Sequence, residues 1–561
     1  MIFELIAWTY ISLICLIWGN FILRLSFGKN EGAGIAFPVV CFIGMSFLGI
    51  ISFYCSLVIP LNFVFKISLQ IPVLLLLFNS RYRKNIVLQL KTPFSNFSVS
   101  DFSLLFVSLL MILFLASSPV IHPDTLNYHV FSVEIFNKYG TVTGIGNVKL
   151  DLGFQSLWFS ELAFFNFSFF KSALWFPLNG TVMAWFIVFL LSRISLMKDK
   201  TLESKKASSA IWAFILILFC ILSWTQIRLT ASSLSPDFIA VISVLISFYF
   251  FAEMHFKNSD DRSELMAIYF SVIAVLIKLS AAPILLIPVF IFGQAVKRNR
   301  WILAGRIIAM SALLWVPILI RNLISTGYPF YPSSFAAIFP LDWKIDISRI
   351  LVLQHYITAY ARFPVLIANI TQEYNTPFGT WLPVWWKHLY LIDKVVIVFI
   401  IAGLLIDILF FSIWKRFYTG RRIAALVVSV TGIIFWFVNA PDPRFGTGFL
   451  IPMIYFQYAP FVPSLVDKGN GNIYGKLTLI KNIFSLLICI YIGYRTIYFF
   501  QPRQLILPEG IKYEALIQSG CEGQVKTTIF SDSDSLPRIP DSCRQFIYRG
   551  KTIEQGFKSA P

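Results

Sequence analysis

The sequence predicts an all-α polytopic membrane protein, and three observations lead to this prediction. Of the 561 residues, 57% are hydrophobic and only 13% are charged. Soluble domains have roughly 25% charged residues, so a soluble fold of this size would lack the polar side chains to cover its surface. Apolar runs of about 20 residues, enough to cross a bilayer as a helix, recur along the chain. Short basic clusters separate many of these runs, as expected of cytoplasmic loops.

Twelve apolar runs are predicted to be transmembrane helices. We expect the first to be a membrane helix, because it lacks the basic n-region and the small-residue cleavage site of a signal peptide. The runs cover residues 2–23, 33–56, 60–78, 101–121, 174–192, 207–227, 237–256, 301–320, 395–413, 422–440, 446–465 and 477–499. Two further stretches, 154–170 and 264–293, are ambiguous, so the expected total is about 12–14 helices.

Four basic clusters, at 81–91, 193–206, 297–300 and 415–422, are all expected in the cytoplasm. Run 101–121 then leads outward and 174–192 returns, so 154–170 lies at the outer surface or dips into the membrane. Both ends of 264–293 are cytoplasmic in this arrangement, which makes that run a hairpin with Lys278 at its outer apex. In the alternative, 154–170 crosses the membrane, 264–293 crosses once, and the cluster at 193–206 is outside.

Long polar segments divide the chain into three regions. Residues 1–100 contain the N-terminal membrane helices, 101–499 form a membrane core with outer loops 122–173 and 321–394, and 500–561 form a small polar extracytoplasmic tail. In the tail, Cys521 and Cys543 either form a disulfide in an oxidising compartment or remain free thiols. The net charge of +18 does not indicate nucleic-acid binding, because most Lys and Arg residues sit in the short linkers between apolar runs.

The first outer loop contains the most informative acid, Asp124, within the sequence HPDTLNYH at 122–129. Pro123 favours a helix start, where a carboxylate suits the helix dipole. Asp124 is therefore either a helix-end acid at the membrane interface or a functional base or metal-binding carboxylate. In a regular helix Tyr128 would share its side, whereas His129 would lie about 140° round the axis.

Three cations at membrane edges are candidate ligands for an anion, and each has a structural alternative. Lys278 either faces a site or snorkels along its helix. Arg321 either binds a ligand or anchors the end of run 301–320. Arg444 follows Asp442 in a turn made rigid by two prolines, and the two charges either pair or belong to a site. The aromatic residues of loop 321–394, such as Trp385 and Trp386, form an interfacial belt or stack on sugars.

Four motifs together resemble those of GT-C glycosyltransferases, and more closely those of a group of bacterial multi-pass membrane proteins related to them. The motifs are HPDTLNYH at 122–129, STGYPFYPSS at 325–334, LDWKID at 341–346 and APDPRFGTG at 440–448. The similarity covers most of residues 100–465, which leaves the first three helices and the tail as additions. Many GT-C members carry paired acids at the first motif, whereas here Thr125 follows Asp124. A second acid has to be Glu134, Asp151 or a residue of another loop, so a divalent metal such as Mg²⁺ or Mn²⁺ is left open.

The resemblance implies an inverting transferase in a bacterial cytoplasmic membrane. It would move a sugar from a polyprenyl-phosphate donor to an envelope glycan, lipid or protein acceptor at the outer face. Asp124 would be the catalytic base, and the residues that bind substrate or phosphate would be Lys278, Arg444, Arg321, His129, Tyr128 and Asp442. The alternative is a transporter or flippase, or a polymerase, of lipid-linked glycans.

Overall fold

The protein is a bundle of helices with two small antiparallel β-sheets, each of two short strands, at one end. The computed structural model describes residues 1–27, 35–167, 173–195, 204–253, 261–363, 369–410, 420–458, 473–499, 506, 508–512 and 546–559. The helices of the first half are α1 (Ile2–Phe27), α2 (Phe37–Cys55), α3 (Phe63–Ser68), α4 (Ile71–Leu77), α5 (Ser80–Lys91), α6 (Val99–Ala116), α7 (Val130–Lys138), α8 (Leu157–Phe164), α9 (Leu178–Ile194), α10 (Ser204–Leu222), α11 (Trp224–Ala231) and α12 (Asp237–Glu253).

The second half contains the remaining helices and most of the short strands. The helices are α13 (Asp261–Ile277), α14 (Leu286–Lys297), α15 (Trp301–Thr326), α16 (Ile347–Arg362), α17 (Ile370–Tyr374), α18 (Phe378–His388), α19 (Leu391–Leu409), α20 (Gly420–Asn439), α21 (Pro443–Tyr458) and α22 (Ile473–Phe499). Strand β1 (Ala173–Leu174) pairs antiparallel with β2 (Ile511–Lys512), and β3 (Phe546–Tyr548) pairs with β4 (Phe557–Ser559).

The helices confirm a multi-pass, all-α membrane protein in coarse outline. Six helical segments of the described chain are long and apolar enough to cross a membrane: α1, α2, α6, residues 279–297, α15 and α20. Residues 178–194, 211–222 and 237–252 form shorter apolar helices. The predicted run 60–78 is broken into α3 and α4. A total of 12–14 spans therefore stays a prediction.

The run 264–293 is folded as a hairpin, as the parity argument favoured. Helix α13 ends at Ile277, the backbone at Lys278 is extended, and a 3₁₀ turn over Leu279–Leu285 leads into α14. Glu264, near the start of α13, lies 2.8 Å from the guanidinium of Arg300, just beyond the end of α14. Glu264 also lies 3.4 Å from Arg421 at the start of α20. The two ends of the hairpin are thus together, and Lys278 lies at the far end.

One residue from each of three predicted cytoplasmic clusters, Arg193, Arg300 and Arg421, lies at the same end of the bundle. Helix α12 packs antiparallel to α13, because Asp237 at the start of α12 pairs with Lys278 just beyond the end of α13, and the Ser247 and Ser271 hydroxyls further along lie 2.7 Å apart. The guanidinium of Arg193 lies 5.6 Å from the ring of Tyr249, near the end of α12. We call the end with Arg193, Arg300 and Arg421 the basic face. The opposite end, where α12 begins and Lys278 lies, is the site face.

The ambiguous run 154–170 does not form a membrane span. Its helix, α8, has eight residues, which is about 12 Å of helix and far short of a bilayer core. The helix is buried, and the Ser160 hydroxyl donates to the carbonyl of Gly49 in α2 at 3.0 Å. The Ser156 hydroxyl donates to the carbonyl of Ile277 at 2.6 Å. This short helix therefore dips into the bundle and packs beside the hairpin apex.

The N-terminal helices pack tightly into the bundle. A Cβ atom on Gly19 would lie 1.9 Å from the carbonyl oxygen of Val40, and one on Gly44 would lie 1.8 Å from that of Cys15. Such close approach of two helices requires small residues at the crossing. The carboxylate of Glu4 accepts a hydrogen bond from Trp175 at 2.7 Å. These contacts join α1 and α2 to the core that follows.

The described parts of the tail lie on the site face. Strand β2 pairs with β1, and the amide of Glu509 donates to the carbonyl of Ser117 at 3.1 Å. The amide of Phe557 donates to the carbonyl of Thr143 at 2.9 Å, and Arg549 binds Asp342 at 3.0 Å. The hairpin of β3 and β4 thus packs on both long loops. Cys521 and Cys543 lie outside the described residues.

Replacing Glu264 by Gln is expected to lower the free energy of unfolding by about 2 kcal/mol, between the values typical of exposed and buried ion pairs. The change leaves Arg300 and Arg421 facing a neutral amide at the ends of the hairpin. Thermal unfolding of the purified protein in detergent measures the loss. Asp342→Asn is the control, because the Asp342 side chain is 52% exposed and its loss should cost less than about 1 kcal/mol. Equal losses would contradict a structural role for Glu264.

Candidate functional site

The loop that follows α6 carries Asp124 into an irregular helical turn. Residues Thr125–His129 form a π-helical turn, in which the amide of Val130 donates to the carbonyl of Thr125. Single π-helical turns of this kind are rare and are frequently found at functional sites. The turn changes the angular spacing that a regular helix would impose between Asp124 and His129. The rings of Tyr128 and His129 lie 4.4 Å apart, and Thr125 Oγ1 lies 3.4 Å from His129 Nδ1.

Four charged side chains form what we call the ionic cluster: Asp237, Lys278, Asp442 and Arg444. The ammonium of Lys278 donates to Asp237 Oδ1, and Arg444 NH1 lies 3.7 Å from Asp237 Oδ2. Arg444 also binds Asp442, with NH2 at 2.8 Å and Nε at 2.9 Å from Oδ2. The Lys278 ammonium lies 3.9 Å from the ring centroid of Phe445. Two cations from different parts of the chain are thus joined through one carboxylate.

Asp237 is the central residue that the sequence reasoning missed. It lies in the first turn of α12, where the helix dipole favours a carboxylate. The segment before it is fixed by Asn179, whose amide donates to the carbonyls of Thr230 at 3.1 Å and Ser235 at 3.0 Å. The amide of Leu234 lies 3.5 Å from Thr125 Oγ1. These contacts connect the start of α12 to the π-helical turn.

The turn that carries Asp442 and Arg444 is held from three helices. Trp436 of α20 donates to the carbonyl of Asp442 at 2.7 Å, and Trp385 of α18 donates to the carbonyl of Pro441 at 2.7 Å. The hydroxyl of Thr358 in α16 donates to the carbonyl of Asn439 at 2.7 Å. The indole of Trp385 is thus a buried support of the turn. Trp386, in contrast, is 38% exposed.

Asp124 differs from the other carboxylates because its side chain makes no hydrogen bond or ion pair with the described residues. It lies at the start of a helix, where the helix dipole favours a carboxylate, but its side chain does not cap the turn that follows. Burial raises the pKa of Asp124, and the charge of Asp237 adds to the increase, while His122, Arg444 and Lys278 oppose it. Asp124 therefore lies within electrostatic reach of the ionic cluster and has an unengaged carboxylate.

Arg321 is not brought to the ionic cluster. Its side chain is 1% exposed, and its donors are used by four oxygens. Nε donates to Gln155 at 2.6 Å, and the NH groups donate to Ser56, Thr141 and the carbonyl of Gly140 at 2.7 Å each. The guanidinium also lies 3.6 Å from the ring centroid of Phe136. These contacts correct the expected phosphate-binding role, because they make Arg321 an internal clamp for the loop at 140–155.

The described residues contain no ready-made metal site of three or more side chains. No three His, Cys, Asp or Glu side chains of the described chain are arranged to hold a divalent ion. Glu134 accepts hydrogen bonds from Asn137 and Asn166, and Asp151 lies 3.8 Å from Lys149. The second acid near Asp124 is instead Asp237, whose oxygens are taken by the two cations.

Comparisons with known proteins place the chain in a family without assigning an activity. No curated protein and no solved structure is significantly similar to it. A family described as a domain of unknown function, DUF8201, matches residues 1–451. The match contains Asp124 and the whole ionic cluster, and it includes the first hundred residues that the resemblance to GT-C enzymes left as an addition. This chain therefore belongs to the DUF8201 family.

Proposed function

We propose that this protein is a membrane glycosyltransferase that moves a sugar from a polyprenyl-phosphate donor to an envelope glycan, lipid or protein acceptor. One observation carries the proposal: the unengaged carboxylate of Asp124 lies within electrostatic reach of two cations that other carboxylates already hold in place. A base and a pair of anion-binding groups are the parts that such a transfer needs.

Asp124 is the catalytic base in this proposal. As the acceptor oxygen attacks C1 of the sugar, the new C1–O bond forms and the bond from C1 to the phosphate oxygen breaks. The lipid phosphate leaves with the bonding electrons, and the hydroxyl proton passes to the Asp124 carboxylate. A base works best when its pKa lies near the working pH. The raised pKa of Asp124 moves this carboxyl in that direction.

Lys278 and Arg444 bind the leaving phosphate, whose negative charge grows during the reaction. Cations that are fixed before the reaction stabilise such charge most effectively. Their side chains keep 25% and 18% of their surface exposed, so an anion can reach them. Asp237 and Asp442 offset the two positive charges in the absence of substrate, because buried unpaired cations are costly. Tyr128 and His129 line the turn next to this site.

The distribution of charge supports an outer location for the site. Arg193, Arg300 and Arg421 lie at the basic face, and loops rich in Lys and Arg stay in the cytoplasm. The site face would then be extracytoplasmic, where envelope acceptors lie. A bacterial cytoplasmic membrane fits this orientation.

A transporter or flippase of lipid-linked sugars is the second candidate. The observation that favours it is the break at Lys278, because transporters often bind substrate at discontinuous membrane helices. Reconstituted protein discriminates the two. Movement of a lipid-linked sugar across the vesicle membrane without a new glycosidic bond would favour the transporter.

Asp124→Asn is expected to reduce transfer at least about 100-fold, as loss of a general base does. Yield and melting temperature should not change, because the Asp124 side chain makes no hydrogen bond or ion pair with the described residues. The measurement compares envelope glycans and accumulated polyprenyl-linked sugars in a deletion strain complemented with each variant. Asp151→Asn, in the same loop but beside Lys149, is the control and should complement. Full complementation by Asp124→Asn would remove Asp124 as the base.

The rate of transfer is expected to rise with pH through the pKa of Asp124. Below that pKa the carboxyl is protonated and cannot accept the hydroxyl proton, and above it the base is available. Because burial raises this pKa, the acidic limb should lie above the ordinary aspartate value of about 3.9. Single-turnover rates across that range test the expectation. A rate that does not depend on pH up to neutrality would contradict it.

A further inference from the structure

His122 is a buried polar side chain whose hydrogen-bonding groups the described residues leave unsatisfied. It lies in the segment between α6 and the π-helical turn, it is 2% exposed, and both of its ring nitrogens are buried without a hydrogen-bond partner in the described part of the chain. A buried polar group without a partner costs stability, so each case in a folded protein requires an explanation. His129 offers a contrast within the same loop: it is as buried as His122, yet its Nδ1 lies 3.4 Å from the Thr125 hydroxyl.

The surroundings of His122 place it inside the proposed site. Its ring centroid lies 5.5 Å from that of His129. The ring is also within electrostatic reach of Asp124, Asp237, Lys278 and Arg444, the base and the members of the ionic cluster. In the proposed reaction the sugar lies between the base and the phosphate-binding cations. Because His122 interacts electrostatically with both groups and lies next to His129, it is a neighbour of the sugar in this reaction.

The protonation state of His122 limits what it can bind. Burial lowers its pKa, and the positive charges of Arg444 and Lys278 act in the same direction against the two carboxylates. A neutral imidazole has one N–H donor and one nitrogen acceptor. A phosphate oxygen only accepts, so it could satisfy one of the two ring nitrogens. A hydroxyl both donates and accepts, and two neighbouring hydroxyl groups match both nitrogens.

We propose that His122 binds the transferred sugar, with one ring nitrogen donating to a sugar hydroxyl and the other accepting from a second one. This inference rests on the proposed function and adds to it the residue that recognises the sugar. It separates two tasks in one site, because Lys278 and Arg444 bind the phosphate and His122 binds the carbohydrate.

Histidine ¹⁵N NMR tests the proposal without turnover. The chain has only five histidines, so ¹⁵N-histidine labelling gives few signals. The signals of His122 are those that disappear when His122→Gln is added to the Asp124→Asn protein. The Asp124→Asn protein in detergent receives polyprenyl phosphate alone or polyprenyl phosphate carrying glucose, mannose or galactose. The ³¹P signal of each lipid reports binding, and the His129 signal is the internal reference. We expect the His122 signals to move with a sugar-carrying lipid and not with polyprenyl phosphate alone.

Each result has a separate meaning. If a sugar-carrying lipid binds and His122 does not respond, or if both lipids move it equally, the inference fails while the proposed function stands. If none of the lipids binds, the proposed function fails, and the inference fails with it. In transfer assays of the wild-type background, His122→Leu should raise KM for the donor at least about tenfold, the effect of one lost hydrogen bond. His122→Gln keeps a donor and an acceptor and should raise it less.

Discussion

The need to pair buried charge organises the site face of this protein. Asp237 at the start of α12 holds Lys278 from the hairpin break and Arg444 from the turn after α20. Without that carboxylate, two cations would face each other in a poorly solvated space, which is unfavourable. One acid therefore fixes three elements that are distant in the sequence. The neighbouring carboxylate of Asp124 takes no part in this pairing among the described residues and can therefore accept a proton.

Much of this arrangement could be predicted from the sequence, because charge in an apolar chain is scarce and its position is restricted. The basic linkers favoured a hairpin over 264–293, although a single crossing was also possible, and the hairpin places Lys278 at the same end as Asp124 and Arg444. Asp237 was missed although its signal was present: an acid directly after Ser235-Pro236, at the edge of an apolar run. The role of Arg321 could not be predicted, since its acceptors come from residues 56, 140, 141 and 155. Long-range hydrogen bonds of this kind leave no local pattern.

Backbone irregularity explains the other difference between prediction and structure. A regular helix after Pro123 would separate His129 from Asp124 by about 140°. The π-helical turn over Thr125–His129 removes that regular spacing, and nothing in the residue types of this segment distinguishes one helical hydrogen-bonding pattern from the other. The close packing around the turn, including the 3.5 Å contact from Leu234 to Thr125, selects the conformation. Tertiary contacts thus decide the geometry of the site at the level that catalysis needs.

The hairpin of β3 and β4 has a consequence for biosynthesis. Phe557 and Ser559 of this hairpin donate hydrogen bonds to Thr143 and Asn147, in the loop that follows α7. A ribosome makes this hairpin only after every membrane helix described above has left it. The loop between α7 and α8 therefore gains these contacts only after the last described membrane helix has been made. Folding of this loop is consequently completed later than synthesis of the helical bundle on which it lies.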